Sequence, residues 1–305
     1  MPDPDKSGAA RAEAEEASAF SHPAVPPDVS AAYGDHPDQV VDFYAPRDGS
    51  TAAPLVVVLH GGAWRAPYDR QYMTPFCDFL ARRGFAVANV EYRRGSGSVG
   101  GIPPQGTALP HQGVEGPVAG RWPETFDDVA TALDAMPALA AEHLPSADPR
   151  RTVVTGHSAG GQLALWAGAR HVLPEGAPWR TPNSAALRGV VAIAPLVGFV
   201  LAEELGVCGG ACIQLLGGMR ELFDERRPYA DPVELLPTGV ATTVVQGRTD
   251  TTVPFELAEA YADAAAKAGE VVGVTFLEEV GHFPVIDPAA DACAVVAEEI
   301  AQLAW

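Results

Sequence analysis

Short runs of apolar residues alternate with longer stretches in which apolar residues recur at helical spacing. Continuous apolar runs bounded by turn residues are typical of buried strands in a parallel sheet. They predict strands over residues 39–44, 55–59, 85–92, 151–155, 190–194, 242–246 and 272–277. The longer stretches predict helices over residues 71–83, 124–144, 159–170, 254–268 and 288–303. The alternation indicates the α/β fold class, with a mostly parallel central sheet and helices on both of its faces.

Three segments fall outside this alternation. Residues 1–30 are rich in Ala, Pro and acidic residues without apolar periodicity, which predicts a flexible leader with one short helix near residues 11–19. The folded α/β domain is then expected over residues 31–305. Within it, the Gly- and Pro-rich stretch 95–121 and the segment 197–236 separate predicted elements. We expect both to be insertions that form a lid or cap, because long loops inside compact domains often cover a site.

Charge and composition narrow the classes of function. The 305 residues carry a formal net charge of −19, which disfavours binding to nucleic acid or to an anionic membrane surface. No apolar run approaches the roughly 20 residues that span a bilayer, and the N-terminus lacks the features of a secretion signal. We therefore expect a cytoplasmic protein. Cys208 and Cys212 lie close enough for a small disulfide loop, but unpaired thiols are the simpler interpretation in that compartment.

The strongest chemical signal is the sequence Gly156-His157-Ser158-Ala159-Gly160. It follows a predicted strand and precedes a predicted helix, which is the context that a G-x-S-x-G nucleophile turn requires. The two glycines allow the chain to turn sharply, and the helix directs its free N–H groups towards the space above the serine. Ser158 is the candidate nucleophile.

A second motif, His60-Gly61-Gly62-Ala63-Trp64, follows an early strand. Acyl transfer passes through a tetrahedral oxyanion that two or more N–H donors must stabilise. We expect these donors to be the backbone amides of Gly62, Ala63 and Ala159. His60 is expected to shape the loop rather than to carry a proton.

A serine nucleophile needs a base, and the base needs an orienting acid. Among the eight histidines, only His282 follows both the serine and a plausible acid in chain order. Asp250 is the preferred acid because it stands just after the predicted strand 242–246. The nearby acids Asp224, Asp231, Glu278, Glu279 and Asp287 are its rivals.

These motifs together resemble those of the α/β-hydrolases, in particular the arylformamidase (kynurenine formamidase)-like and small carboxylesterase branch. The resemblance runs from about Tyr33 to the C-terminus and includes Tyr92-Arg93 and the stretch from His282 to Pro288. It implies a Ser158, Asp250 and His282 triad, an oxyanion hole at Gly62, Ala63 and Ala159, and no metal or organic cofactor.

The function expected is a serine hydrolase that cleaves an ester or formamide bond of a small, apolar or aromatic substrate through an acyl-enzyme. Trp64, Trp122, His157 and Phe283 are candidate pocket residues, although the side chain of His157 should point away from the reacting atom. Two alternatives stay open: a biosynthetic acyltransferase or cyclase with the same triad, and a non-catalytic binding protein on this fold. A small molecule is the expected partner, and a homodimer is a further option.

Overall fold

The computed structural model describes residues 4–95 and 119–305, and its centre is an eight-stranded sheet. The strands are β1 (Val29–Ala32), β2 (Val40–Tyr44), β3 (Ala53–Leu59), β4 (Ala86–Val90), β5 (Ala147–His157), β6 (Gly189–Ile193), β7 (Thr242–Gly247) and β8 (Gly273–Leu277). Their order across the sheet is β1-β2-β4-β3-β5-β6-β7-β8. The two pairings that involve β2 are antiparallel and all others are parallel. This confirms the predicted fold class.

Helices cover the sheet on both faces. They are α1 (Pro4–Ala19), α2 (Thr74–Ala81), α3 (Glu124–His143), α4 (Ala159–Gly168), α5 (Phe199–Glu204), α6 (Ala211–Leu215), α7 (Arg220–Arg226), α8 (Glu256–Lys267) and α9 (Asp291–Ala304). Side chains of a strand alternate between its faces. Leu55 and Val57 of β3 accordingly lie in different apolar clusters from Val56 and Val58. The first cluster contains α3, α4 and α8, and the second contains α2 and α9.

The predicted strands and helices are found within a few residues of their expected ends. The helix expected over 71–83 begins with a 3-10 turn at Arg70–Met73, and α4 ends at Gly168 before another short 3-10 turn. Three short helices, α5 to α7, occupy part of segment 197–236. The insertion expected at 95–121 lies mostly outside the described residues. Its two ends meet at one atom, because the amides of Gly95 and Gly120 both donate to the Trp64 carbonyl at 2.8 Å.

The N-terminal segment differs from the expected loose leader. Residues 4–19 form α1, and β1 pairs with β2 in a register that sets Ala31 opposite Val41. Ala and Glu favour helix strongly, so α1 needs no apolar stripe to form. Its contacts with the domain are largely polar, which is why the apolar pattern did not indicate them. Among the described helices, none has the length and apolar character needed to cross a bilayer.

Candidate active site

Ser158 occupies the sharp turn between β5 and α4. Its backbone is left-handed, with φ 58° and ψ −118°, a conformation that costs a non-glycine residue roughly 1–3 kcal/mol. Gly156 and Gly160 make the turn feasible. A side chain on Gly156 would overlap the backbone of Gly160, and one on Gly160 would overlap the Leu59 carbonyl. The predicted nucleophile is thus one of the strained residues of the backbone, as expected for a serine held on a sharp turn above the sheet.

Asp250 and His282 form a buried pair in the loops that follow the neighbouring strands β7 and β8. Nδ1 of His282 lies 2.6 Å from Oδ2 of Asp250. The other oxygen of Asp250 accepts the amides of Thr252 and Val253 at 2.8 Å each. The side chain of Asp250 is fully buried and that of His282 is 3% exposed. An ionised carboxylate only accepts hydrogen bonds, so Nδ1 carries the proton and Nε2 is left as a base.

The sheet brings the three predicted triad residues to one edge. Ser158 follows β5, Asp250 follows β7 and His282 follows β8, and parallel strands end at a common edge. No hydrogen bond joins the Ser158 hydroxyl to His282 in the described structure. Such bonds are often long in a free site and shorten when substrate binds.

His157 and Phe283 lie behind His282 rather than in an open pocket. His157 is 1% exposed, and its Nε2 donates to the carbonyl oxygen of His282 at 2.9 Å. Burial, and secondarily the charge of His282, hold the pKa of His157 well below its ordinary value. Phe283 is 4% exposed, and its ring centroid is 5.1 Å from that of His282. Both residues fix the position of His282.

The loop that follows β3 lies against the nucleophile turn. Gly62, Ala63 and Trp64 all have positive φ, of 99°, 50° and 55°. A side chain on Gly61 would come within 2.7 Å of the His157 carbonyl and 3.1 Å of Ser158 Cβ. Residues 60–64, which we call the oxyanion loop after their predicted role, can approach the turn only because Gly61 has no side chain.

Several backbone amides near Ser158 have no acceptor in the described part of the chain, and three of them are the predicted oxyanion donors. These three are the N–H groups of Gly62, Ala63 and Ala159. Ala159 opens α4, and the first N–H groups of a helix have no partner within it. Free donors on two facing loops can stabilise negative charge that develops between them.

A buried polar network supports the oxyanion loop, and it contains His60, the residue that was expected to shape this loop. Nε2 of His60 lies 2.8 Å from Oε1 of Glu91, and the His60 ring stacks on Tyr92 with centroids 4.2 Å apart. The Tyr72 hydroxyl accepts the Gly61 amide at 2.6 Å. Burial opposes the charge of Glu91, but His60, Arg94 and a backbone amide lower its pKa to about 2. The sequence held one sign of this network, because Glu91 is the charged residue near the end of the apolar run 85–92.

The two tryptophans predicted for the pocket belong to aromatic clusters. Trp64 is fully buried and contacts Phe199 edge to face at 6.0 Å. Trp122 is half-buried against Phe126 and Trp179, with centroids 5.3 and 5.2 Å apart. Large aromatic rings gain more from burial than from exposure in a pocket.

The four cysteines are unpaired thiols, including Cys208 and Cys212. Burial raises the pKa of both thiols, to about 11 for Cys208 and well above the ordinary value for Cys212. Thiols of this kind are poor nucleophiles. Across residues 4–95 and 119–305, no group of three or more His, Cys, Asp or Glu side chains is arranged to hold a metal ion.

Comparison with known proteins agrees with the fold described above. The BD-FAE family model matches residues 41–99. A protein of Oryza sativa subsp. japonica, described as a probable isoprenylcysteine alpha-carbonyl methylesterase, is 25% identical over 264 residues, which is 83% of this chain. The chain spans 57% of that relative's length.

Solved structures of esterases superpose on most of the chain. A truncated carbohydrate esterase from gut microbiota has a TM-score of 0.70 at 17% identity, covering 92% of this chain and 99% of the other. Esterase 2 of Thermogutta terrifontis has a TM-score of 0.61 at 22% identity, covering 92% of each chain. At these identities the comparison shows the fold. The chain is therefore an α/β-hydrolase by fold, as its motifs predict, and it resembles the esterases among them.

Proposed function

We propose that this protein is a serine esterase that hydrolyses a carboxylic ester of a small molecule through an acyl-enzyme. The Ser158 hydroxyl attacks the ester carbonyl while Nε2 of His282 takes its proton. Asp250 holds the ring of His282 and stabilises the imidazolium that forms. The tetrahedral intermediate collapses as His282 returns the proton to the departing alcohol.

The second half of the reaction repeats these steps with water. His282 takes a proton from a water molecule, which attacks the acyl group on Ser158. The intermediate then releases the carboxylic acid and restores the serine. In both halves the amides of Gly62, Ala63 and Ala159 are the proposed donors to the oxyanion. Their lack of an acceptor among the described residues supports this role.

The observation that carries the proposal is the buried Asp250 and His282 pair at the same sheet edge as the left-handed Ser158. A binding protein would gain nothing from a strained serine beside an oriented histidine. The choice of an ester over a formamide follows from the relatives, which are named as esterases. A formamide is therefore the second substrate class to test.

The test compares Ser158→Ala with Ser184→Ala, a change at an exposed serine outside the site. With 4-nitrophenyl acetate, we expect Ser158→Ala to lose at least about 10⁴-fold in kcat and Ser184→Ala to match the wild type. A fluorophosphonate should add once to the wild type at Ser158, as seen by mass spectrometry. Retained turnover in Ser158→Ala would refute the proposal.

Product analysis then distinguishes an esterase from an acyltransferase and from a formamidase. Incubation with short esters and N-formylaniline, in the presence and absence of an added alcohol, measures the acid released and any new ester formed. We expect free acid to be the main product from esters. A dominant new ester would identify an acyltransferase, and preferred cleavage of N-formylaniline would identify a formamidase.

A further inference from the structure

One face of α1 and the turn after it lie along the loop that carries His282. Arg11, Glu15 and Ser18 are spaced by four and three residues and so share this face. Nη1 of Arg11 lies 2.8 Å from Oε2 of Glu279, and the Ser18 hydroxyl lies 2.6 Å from Oδ2 of Asp287. These contacts bracket His282 on both sides in sequence. We name residues 11–22 the N-terminal clasp.

The end of the clasp strengthens this attachment. Nε2 of His22 lies 2.7 Å from Oδ1 of Asp287, whose side chain is 5% exposed. The Phe20 ring lies between Phe283 and Tyr72, with centroids 5.3 and 5.4 Å away. Phe283 adjoins His282, and Tyr72 binds the Gly61 amide of the oxyanion loop. The clasp therefore contacts the loops that carry two parts of the proposed machinery.

Glu15 makes the contact nearest to His282. Its Oε2 lies against Gly281, the residue before His282. A side chain on Gly281 would overlap Oε2 of Glu15, so the glycine is what allows the approach. The Glu15 side chain is 16% exposed. Burial raises its pKa, Arg11 and the Gly281 amide lower it, and the charge of Asp250 raises it further.

Two carboxylates thus act on one short loop. Asp250 holds the His282 ring through Nδ1, and Glu15 holds the backbone immediately before it. We propose that Glu15 is a positioning residue for His282 and that the N-terminal clasp is part of the active site. This inference rests on the proposed esterase function, because it assigns Glu15 to the base of that reaction.

The charges around His282 give this role a pH signature. The charged and titratable groups that lie in its loop or contact it, among the described residues, are Asp250, His157, Glu15, Arg11, His22, Arg248, Glu278, Glu279 and Asp287. A negative charge nearby favours the imidazolium form of histidine, so its removal lowers the pKa of the ring. A group that acted only on stability would leave that pKa unchanged.

The test uses Glu15→Gln and Glu15→Ala, with Glu13→Ala as the matched control at an exposed glutamate of the same helix. Activity is measured from pH 5 to 9 per mole of serine titrated. We expect Glu15→Ala to lose about tenfold in kcat with KM nearly unchanged, because the loop before His282 loses the side chain that packs against Gly281 and His282 is held less firmly. Glu15→Gln should keep most of kcat near pH 8, since the carboxamide has the shape of the carboxylate and packs against Gly281 in the same way. Its acid limb should move to lower pH by a few tenths of a unit.

The inference is overturned if Glu15→Ala keeps the wild-type kcat and pH profile, or if Glu13→Ala changes them equally. Should Glu15→Ala not fold, the pH profile of Glu15→Gln carries the test. An NMR titration of the His282 ring in wild type and Glu15→Gln needs no substrate. If the ring pKa is lower in Glu15→Gln than in the wild type but the wild type cleaves no ester, the inference is kept and the esterase function is rejected. Ester cleavage with an unchanged ring pKa and pH profile would do the reverse.

Discussion

At the scale of single residues, the oxyanion loop depends on side chains that form hydrogen bonds with its residues. Tyr72 is the clearest case, because its hydroxyl accepts the Gly61 amide next to the proposed oxyanion donors. We expect Tyr72→Phe to lower kcat about tenfold, since a buried amide left without an acceptor costs about 1–3 kcal/mol. KM should change little. Steady-state kinetics with 4-nitrophenyl acetate measures both constants.

Tyr44→Phe is the matched control for this prediction. The Tyr44 hydroxyl donates to the Val25 carbonyl at 3.0 Å and does not contact the oxyanion loop. Its removal should lower stability while kcat stays at the wild-type value. Equal losses of kcat in the two variants would show that Tyr72 acts through stability alone.

Glu91 gives a second prediction, for the dependence of stability on pH. Its pKa is about 2 in the folded protein and about 4.3 in an unfolded chain. The charged form is thus the one that the fold stabilises. This stabilisation is fully present above about pH 4.5 and is lost as the pH falls towards 2.

Urea unfolding at a series of pH values compares the wild type with Glu91→Gln. We expect the wild type to be the more stable protein near pH 6 and its advantage to shrink between pH 4.5 and 2. Glu13→Gln, at an exposed position of α1, should parallel the wild type throughout. An advantage that stays constant over this range would contradict the role of the charge.

At the scale of elements, two glycines illustrate opposite demands on the chain. Gly156 sits where β5 meets α4, and a methyl group there would overlap the Gly160 backbone. Since backbone cannot move aside as a side chain does, we expect Gly156→Ala to cost about 3 kcal/mol or to prevent folding. Gly8 lies within α1 with nothing near the position of a Cβ. Gly8→Ala should stabilise α1 by about 0.5–1 kcal/mol.

Urea unfolding measures the stability of Gly156→Ala, and amide hydrogen exchange within α1 measures the effect of Gly8→Ala. We expect slower exchange in Gly8→Ala and unchanged exchange in the strands. Stability equal to wild type in Gly156→Ala would mean that the turn between β5 and α4 does not require its glycine.

The same scale explains what the sequence could and could not predict. Seven of the eight strands, most helices and the turn at Ser158 follow from local patterns, because each depends on residues adjacent in the chain. Asp250 and His282 were instead chosen by their order along the chain and by the strands that they follow. Tyr72 and Glu15 act on Gly61 and Gly281, across gaps in sequence that no local pattern spans. The four predicted pocket residues make buried or half-buried aromatic contacts, and their role in a pocket stays a prediction. Aromaticity near a motif does not distinguish a pocket wall from a buried cluster.

At the scale of the whole molecule, the net charge of −19 sets a long-range field around the site. Many of the described arginines are already paired with carboxylates, for example Arg93 with Asp128 and Arg94 with Glu91 at 2.7 Å each. The excess of acid is therefore uncompensated and should repel anionic substrates as they approach. Salt screens such repulsion, because the Debye length falls from about 30 Å at 0.01 M to about 8 Å at 0.15 M.

Repulsion of this kind predicts a difference between two aryl acetates of similar size. With 4-acetoxybenzoate, which is anionic, kcat/KM should rise several-fold as the ionic strength is raised from 0.01 to 0.15 M. With 4-acetylphenyl acetate, which is neutral and has a single ester bond, kcat/KM should stay nearly constant, so the neutral ester controls for effects of salt on the enzyme itself. A fall in kcat/KM for the anionic ester would mean that cations near the site outweigh the field of the whole chain. Field and site would then have opposite signs, and the residues that attract the anion would determine the substrate class.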